Sequence, residues 1–289
     1  MMQENNIKGI LIPVGGNEDK GKDDREGYTV DFVTDGILAH VVRCAGGNNA
    51  NIVVVTSASS IPEEVGPNYI EAFRHLDCEN VKTLHVTDKS EANSQEVVDL
   101  IAKADCVMFS GGDQSKIVDY IGETRMHQLL IDRYHNEQFV IAGTSAGAMC
   151  MSSEMIYGGS AADSLVKGAV LMREGMRFAP GLIIDSHFIQ RGRFGRLSEA
   201  VSRFPHLLGV GLAEDTGMII EKGRDVCVIG SGMVILIDPS NLVHNRQEIL
   251  EPGTPMTLTN LTMHVLSNSD GFDIATREIT VLPIDADFV

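Results

Sequence analysis

The chain is short of residues that several protein chemistries need. Its five cysteines (Cys44, Cys78, Cys106, Cys150 and Cys227) are odd in number, scattered and without C-x-x-C spacing. That argues against a disulfide framework or a zinc site and leaves buried, reduced thiols. Basic residues are also scarce: 23 Lys and Arg stand against 40 Asp and Glu, a net charge of −17 over 289 residues. Nucleic-acid binding usually needs a basic face and is not expected. An acidic surface favours solubility and can draw in a cationic substrate. No uncharged apolar run reaches transmembrane length, and residues 1–6 (Met-Met-Gln-Glu-Asn-Asn) lack the basic start and apolar core of a signal peptide. Neither a membrane span nor export is expected, so the location is taken as cytoplasmic. Linkers rich in proline, serine or charge, internal repeats and low-complexity segments are absent too. One domain over residues 1–289 follows, with an α/β core at 1–215 and a β-rich extension at 216–289.

Short, β-branched, apolar runs alternate with amphipathic segments through the first two-thirds. Strands are expected at Lys8–Val14, Asn51–Ser57, Lys82–Val86, Cys106–Phe109, Gln138–Ala142, Leu182–Asp185 and Leu208–Leu212. Helices are expected at Asp31–Cys44, Asn68–Leu76, Ser94–Lys103 and Lys116–His135. Such alternation implies βαβ crossovers and a doubly wound, mostly parallel sheet. After Thr216 come β-rich runs at Met218–Glu221, Val226–Ile229, Val234–Ile237, Met256–Leu261, Thr262–Leu266 and Glu278–Leu282. Gly, Asn, Asp and Pro signals between them predict antiparallel hairpins.

Chemistry gathers at strand ends, where open α/β sheets place their sites. Gly143-Thr144-Ser145-Ala146-Gly147 follows an apolar run and opens a small-residue helical segment, the form of a nucleophile elbow. Cys150, five residues on, has no elbow around it. The Ala146 amide would face an oxyanion, with Gly112 or Asp113 of Ser110-Gly111-Gly112-Asp113-Gln114 as its partner. Asp113 can equally be a helix N-cap. Of nine histidines, only His187 stands just after a parallel strand beside other polar groups, which makes it the candidate base. Glu214 and Asp215 both end the strand Leu208–Leu212, and Asp163 is a further contender for the acid that orients His187. Arg191, Arg193 and Arg196 follow the histidine closely, and their planar forks suit anionic substrate groups.

Taken together, Gly15–Lys20, Ser110–Gln114, Gly143–Ala148, Asp185–Leu197 and Gly209–Thr216 resemble the cyanophycinases, of the serine-peptidase family that also contains aspartyl dipeptidase (peptidase E). The resemblance implies a class I glutamine-amidotransferase-like (flavodoxin-like) fold and a Ser–His–Glu arrangement of Ser145, His187 and Glu214, with Asp163 as the alternative acid. It implies a substrate, cyanophycin, with a poly-aspartate backbone bearing arginine on each β-carboxyl, released as β-Asp-Arg. Family members bind it through residues matching Gln114, Asp185, Arg191, Arg193 and Arg196; Asp185 would suit a cationic arginyl group and the arginines anionic aspartyl groups. Ser186 stands where the family frequently has Gln, so a substrate amide contact would be missing. A homodimer is implied, and an acyl-enzyme route needs no metal or cofactor. The alternatives are a peptidase-E-like enzyme for α-aspartyl dipeptides and a non-enzymatic binding protein on this fold. The mark of the latter, loss of nucleophile or base, is absent.

Overall fold

The computed structural model describes residues 7–22, 29–159, 164–247 and 249–283. Its parallel strands are the short apolar runs: β1 (Ile10–Val14), β2 (Ile52–Val55), β3 (Val81–Leu84), β4 (Cys106–Phe109) and β5 (Val140–Thr144), in the spatial order β1-β5-β4-β2-β3. Successive side chains point to opposite faces. Ile12, Val54, Met108 and Ala142 pack under helices α1 (Ile37–Cys44) and α2 (Pro62–Arg74). Leu11, Val53, Val107 and Ile141 join the opposite core. The single turn α3 (Lys89–Ala92) precedes α4 (Gln95–Ala102), α5 (Gln114–Ile121) and α6 (Arg125–Asn136), whose apolar faces cover that side. Burial on both faces is why β1, β2, β4 and β5 read as near-continuous hydrophobic runs, whereas β3 at the sheet edge has the sequence Val-Lys-Thr-Leu and is only partly covered.

Past β5 come the short helix α7 (Ala146–Met149) and a hairpin of β6 (Glu154–Gly158) and β7 (Leu171–Glu174). Next are β8 (Leu182–Asp185), helix α8 (Phe194–Arg203) and β9 (Leu208–Leu212), then β10 (Thr216–Glu221), β11 (Asp225–Gly230), β12 (Val234–Asp238), β13 (Thr262–Leu266), β14 (Gly271–Asp273) and β15 (Ile279–Thr280). β10 pairs antiparallel with β1, extending the main sheet through β11, β14 and β15 to nine strands. The C-terminal hairpins are therefore hydrogen-bonded into the α/β core.

Four expectations need correction. β8 and β9 are parallel to each other but lie in a second, four-stranded sheet of order β13-β12-β9-β8. One face of it, with Ile184, Val210 and Leu236, joins the main core; the other, with Ile183, Ile235 and Ile237, packs on Leu197, Ala200 and Val201 of α8. The segment Lys116–His135 is two helices, because Gly122 turns to an extended conformation, Glu123 takes a φ of 61° and Thr124 caps α6. The run Met256–Leu261 is no strand; it crosses the 164–170 connection, with the Met256 amide on the Leu165 carbonyl. Asp31 starts a turn instead of a helix, accepting the amides of Val33 and Thr34 on its side chain.

α7 sits hard against β4: a Cβ on Gly147 would stand 2.3 Å from the Phe109 carbonyl oxygen. Gly147→Ala is expected to lower stability by about 1–3 kcal/mol through overpacking. An unchanged urea midpoint would contradict that contact.

Candidate active site

One extended segment joins the two sheets. The carbonyls of Val14, Gly15 and Gly16 accept the amides of Ser145 (2.9 Å), His187 (2.8 Å) and Asp215 (2.9 Å) respectively. Ser145 follows β5 of the large sheet, whereas His187 and Glu214 follow β8 and β9 of the small one. The approach demands glycine. A Cβ on Gly15 would lie 1.8 Å from the Ala213 carbonyl oxygen, and one on Gly16 would enter the His187 ring at 2.4 Å.

Four non-glycine residues here hold a positive φ: Asn17 (52°), Ser145 (51°), His187 (47°) and Asp215 (46°). Such backbone strain clusters at functional sites because surrounding structure must enforce it. At Ser145 it is the turn of the elbow, lifting the hydroxyl off the strand end. The Ser145 hydroxyl donates to His187 Nε2 at 2.9 Å, and His187 Nδ1–H donates to Glu214 Oε1 at 2.6 Å, the tautomer that satisfies both bonds. Glu214 is held in turn, its Oε2 accepting from Asn17 Nδ2 at 3.1 Å and its amide donating to Gln190 Oε1. Burial lowers the His187 pKa below its usual value; the Glu214 hydrogen bond and charge pull it up, while Arg191 and Arg193 push it down. The imidazole is thus neutral near pH 7, able to take the serine proton.

Ser145 opens into a cleft of about 490 Å³ lined by Glu18, Lys20, Tyr69, Gly112, His187 and Arg191, among others. Gly111 backs the serine, its missing Cβ 3.5 Å from Ser145 Cβ, and Gly112 has a φ of 141°. Among the described residues no hydrogen-bond acceptor takes the amides of Gly112 or Ala146. The Asp113 amide, in contrast, is committed to the Ala58 carbonyl at 3.0 Å, and its carboxylate caps α5 through Ser115. Asp113 is therefore a cap, not an oxyanion donor. Beneath the cleft, buried Glu18 accepts from Lys20, Tyr69 and Thr144. Burial alone would raise its pKa, but Lys20 and these hydrogen bonds outweigh it and hold the carboxyl low.

The arginine cluster divides. Asp185 is wholly buried and ion-paired internally, to Arg193 Nη1 at 2.9 Å and Arg196 Nε at 2.8 Å. It is not open to a cationic substrate group, and Arg196, itself buried, is not open to an anionic one. Arg193 also donates to the Ser186 carbonyl. Arg191 alone of the three is exposed on the cleft rim. Ser186 is buried with its hydroxyl on Met149 Sδ and does not line the cleft. Gln114 donates its side-chain amide to the Ile156 carbonyl at 2.9 Å. Cys150 is fully buried and burial pushes its thiol pKa far up, which rules it out as nucleophile. Asp163 lies outside the described residues. Among those described, no three His, Cys, Asp or Glu side chains stand together as metal ligands, and no helix is long and apolar enough to cross a membrane. A larger cavity of about 560 Å³, between Ile7–Ile10, Arg43 and Lys222, contains neither Ser145 nor His187.

Sequence reasoning overlooked Asn17 and Gln190, which position Glu214, and assigned Asp215 no support role. Asp215 is buried, accepting from the Asp19 amide (2.9 Å) and Ser231 Oγ (2.6 Å), so it ties the Gly15–Lys20 loop to the strand end. The signal was the polar run after Gly15-Gly16, since Asn is the residue most tolerant of a left-handed backbone after glycine.

Two titrations check this geometry. The His187 ring should titrate below 6.5 by NMR, and lower still in Glu214→Gln, because Glu214 raises its pKa; an upward move would contradict the pairing. Burial raises the Asp215 pKa to about 6. A raised carboxyl pKa means the folded state binds the proton more tightly, so its stabilisation is full below about 4 and lost as pH rises through about 6. Asp215→Asn should flatten the urea midpoint across that window; an unchanged slope would contradict the burial.

Residues 34–227 match the model for peptidase family S51. The cyanophycinase of Nostoc sp. is 33% identical over 278 residues, 96% of this chain and 88% of that protein. The cyanophycinase of Geminocystis herdmanii is 30% identical over 274 residues, 94% and 96% of the two. A solved peptidase from an acI-B1 Actinobacterium covers 91% of this chain and 98% of its own at a TM-score of 0.60 and 18% identity. A putative peptidase E from Listeria monocytogenes covers 77% and 98% at a TM-score of 0.51 and 14% identity. These two show a shared fold. With two-thirds of its length inside the family model and curated relatives aligned nearly end to end, the chain belongs to peptidase family S51.

Proposed function

We propose that this peptidase hydrolyses cyanophycin to β-Asp-Arg dipeptides as a serine-type exopeptidase. The observation that carries the reading is the continuous hydrogen-bond chain Ser145–His187–Glu214 at a cleft edged by Arg191. Curated relatives named cyanophycinase favour the polymer over α-aspartyl dipeptides.

Ser145 Oγ attacks the carbonyl carbon of the aspartyl unit as His187 Nε2 takes its proton, and Glu214 stabilises the imidazolium. The amides of Gly112 and Ala146 receive the oxyanion. His187 then gives the proton to the leaving amine, and water, deprotonated by the same imidazole, releases the acyl group. Arg191 meets a substrate carboxylate on the rim. Arg193 and Arg196 act indirectly, holding Asp185 and with it the backbone that carries His187. Residues 1–289 work in this reading as one peptidase domain, in a cytoplasmic homodimer.

Ser145→Ala is expected to cut cyanophycin turnover by about 10⁴-fold or more with the fold intact by circular dichroism. Near-full activity would remove Ser145 as nucleophile. Mass analysis of wild-type products should give β-Asp-Arg; faster cleavage of Asp-Xaa dipeptides than of the polymer would point to the peptidase E activity. Arg191→Ala should raise KM about tenfold with kcat little changed, the mark of a lost binding contact.

A further inference from the structure

A separate cavity of about 390 Å³ lies along α8, outside the Ser145 cleft. Two crossing connections build its wall: the Lys167 amide donates to the Thr254 carbonyl, the Gly253 amide to the Lys167 carbonyl, and the Met256 amide to the Leu165 carbonyl. Glu199 of α8 lines it and is only 3% exposed. Its Oε1 accepts the amides of Gly168 (3.0 Å) and Val170 (3.1 Å), which fixes the side chain. Among the described residues its Oε2 is buried with no hydrogen-bond partner, and so is Gln247 Oε1, also on the cavity wall. Buried acceptors left unpaired are costly, and natural structures seldom leave two in one place without a use. Burial pushes the Glu199 carboxyl above its ordinary range even though loop amides pull the other way.

The same cavity carries cations. Lys167 holds its Nζ on the Leu250 carbonyl, and Arg203 lies exposed with its guanidinium 5.4 Å from the Phe204 ring. Orphaned acceptors beside cations match a ligand that bears both signs. Val170 and Met172 supply apolar wall for a methylene stem. The volume lies within the usual range for small-ligand sites.

We propose that this cavity binds one zwitterionic amino-acid unit, its guanidinium or ammonium donating to Glu199 Oε2 and Gln247 Oε1 and its carboxylate meeting Lys167 and Arg203. The choice of an aspartyl-arginine unit rests on the cyanophycin reading above; its source is either the polymer or the released dipeptide. Glu199 stands three residues beyond Arg196, about 4.5 Å along the helix. A polymer held there is therefore close to the segment that carries His187.

The test is titration of β-Asp-Arg into the full chain, followed by the methyl resonance of Met172, which is assigned by its loss in Met172→Leu. Saturable movement of that signal is expected. Glu199→Gln keeps an acceptor for the Gly168 and Val170 amides and should weaken binding about tenfold or more. Gln247→Leu should weaken it independently, which guards against a folding defect in the first variant. No movement of the Met172 signal, or an affinity unmoved by both substitutions, overturns the site. On cyanophycin, a raised KM with unchanged kcat in Glu199→Gln assigns the site to the polymer. Unchanged KM with lost dipeptide affinity assigns it to the dipeptide. Failure of the wild type to cleave cyanophycin would remove the functional reading alone, since the Met172 signal decides the cavity separately.

Discussion

The carbonyls of Val14, Gly15 and Gly16 accept amides from the Ser145, His187 and Asp215 positions, so one stretch of backbone sets the spacing between residues from two different sheets. Strand ends leave polar groups that must find partners when buried. Here those partners are each other. A 2.9 Å bond between Ser145 and His187 tolerates little drift, and side-chain packing alone would not hold it. The two glycines follow from the same constraint, because any Cβ would force the His187 ring or the Ala213 carbonyl away.

Charge is arranged around that frame with a clear division. The pairs of buried Asp185 with Arg193 and Arg196, and of buried Glu18 with the partly exposed Lys20, carry a desolvation cost on the carboxylates that only good geometry offsets. Their return is orientation: Arg193 and Arg196 pin the end of β8, while Glu18 ties Thr144 to the Tyr69 hydroxyl. Arg191, left outside these pairs, keeps its charge at the cleft rim. A chain with a net charge of −17 thus presents a local cation where an acidic backbone would lie.

The elbow was legible because its local context, strand then turn then small-residue helix, is written in consecutive residues. β4, β8 and β9 were legible to the residue for the same reason, yet their sheet membership was not. A buried parallel strand has one appearance whichever sheet receives it, and β8 with β9 were placed in the wrong one. The arginine cluster misled in another way. Periodicity exposes a basic run but not that α8 folds back over β8, which turns Arg193 and Arg196 onto Asp185. Asn17 escaped because its task depends on Glu214, 197 residues away.

With Ser145 at the end of a large-sheet strand and His187 and Glu214 at the ends of small-sheet strands, the hydrogen-bond chain that joins them is sensitive to how the two sheets dock. Either sheet could keep its ladder hydrogen bonds while a slip of about 1 Å between them parts serine from imidazole. Regions of a fold open at different free energies, and a partial detachment needs less than global unfolding. On the proposed mechanism catalysis would gauge the seam between the sheets, and activity is expected to be lost on warming before most of the backbone melts.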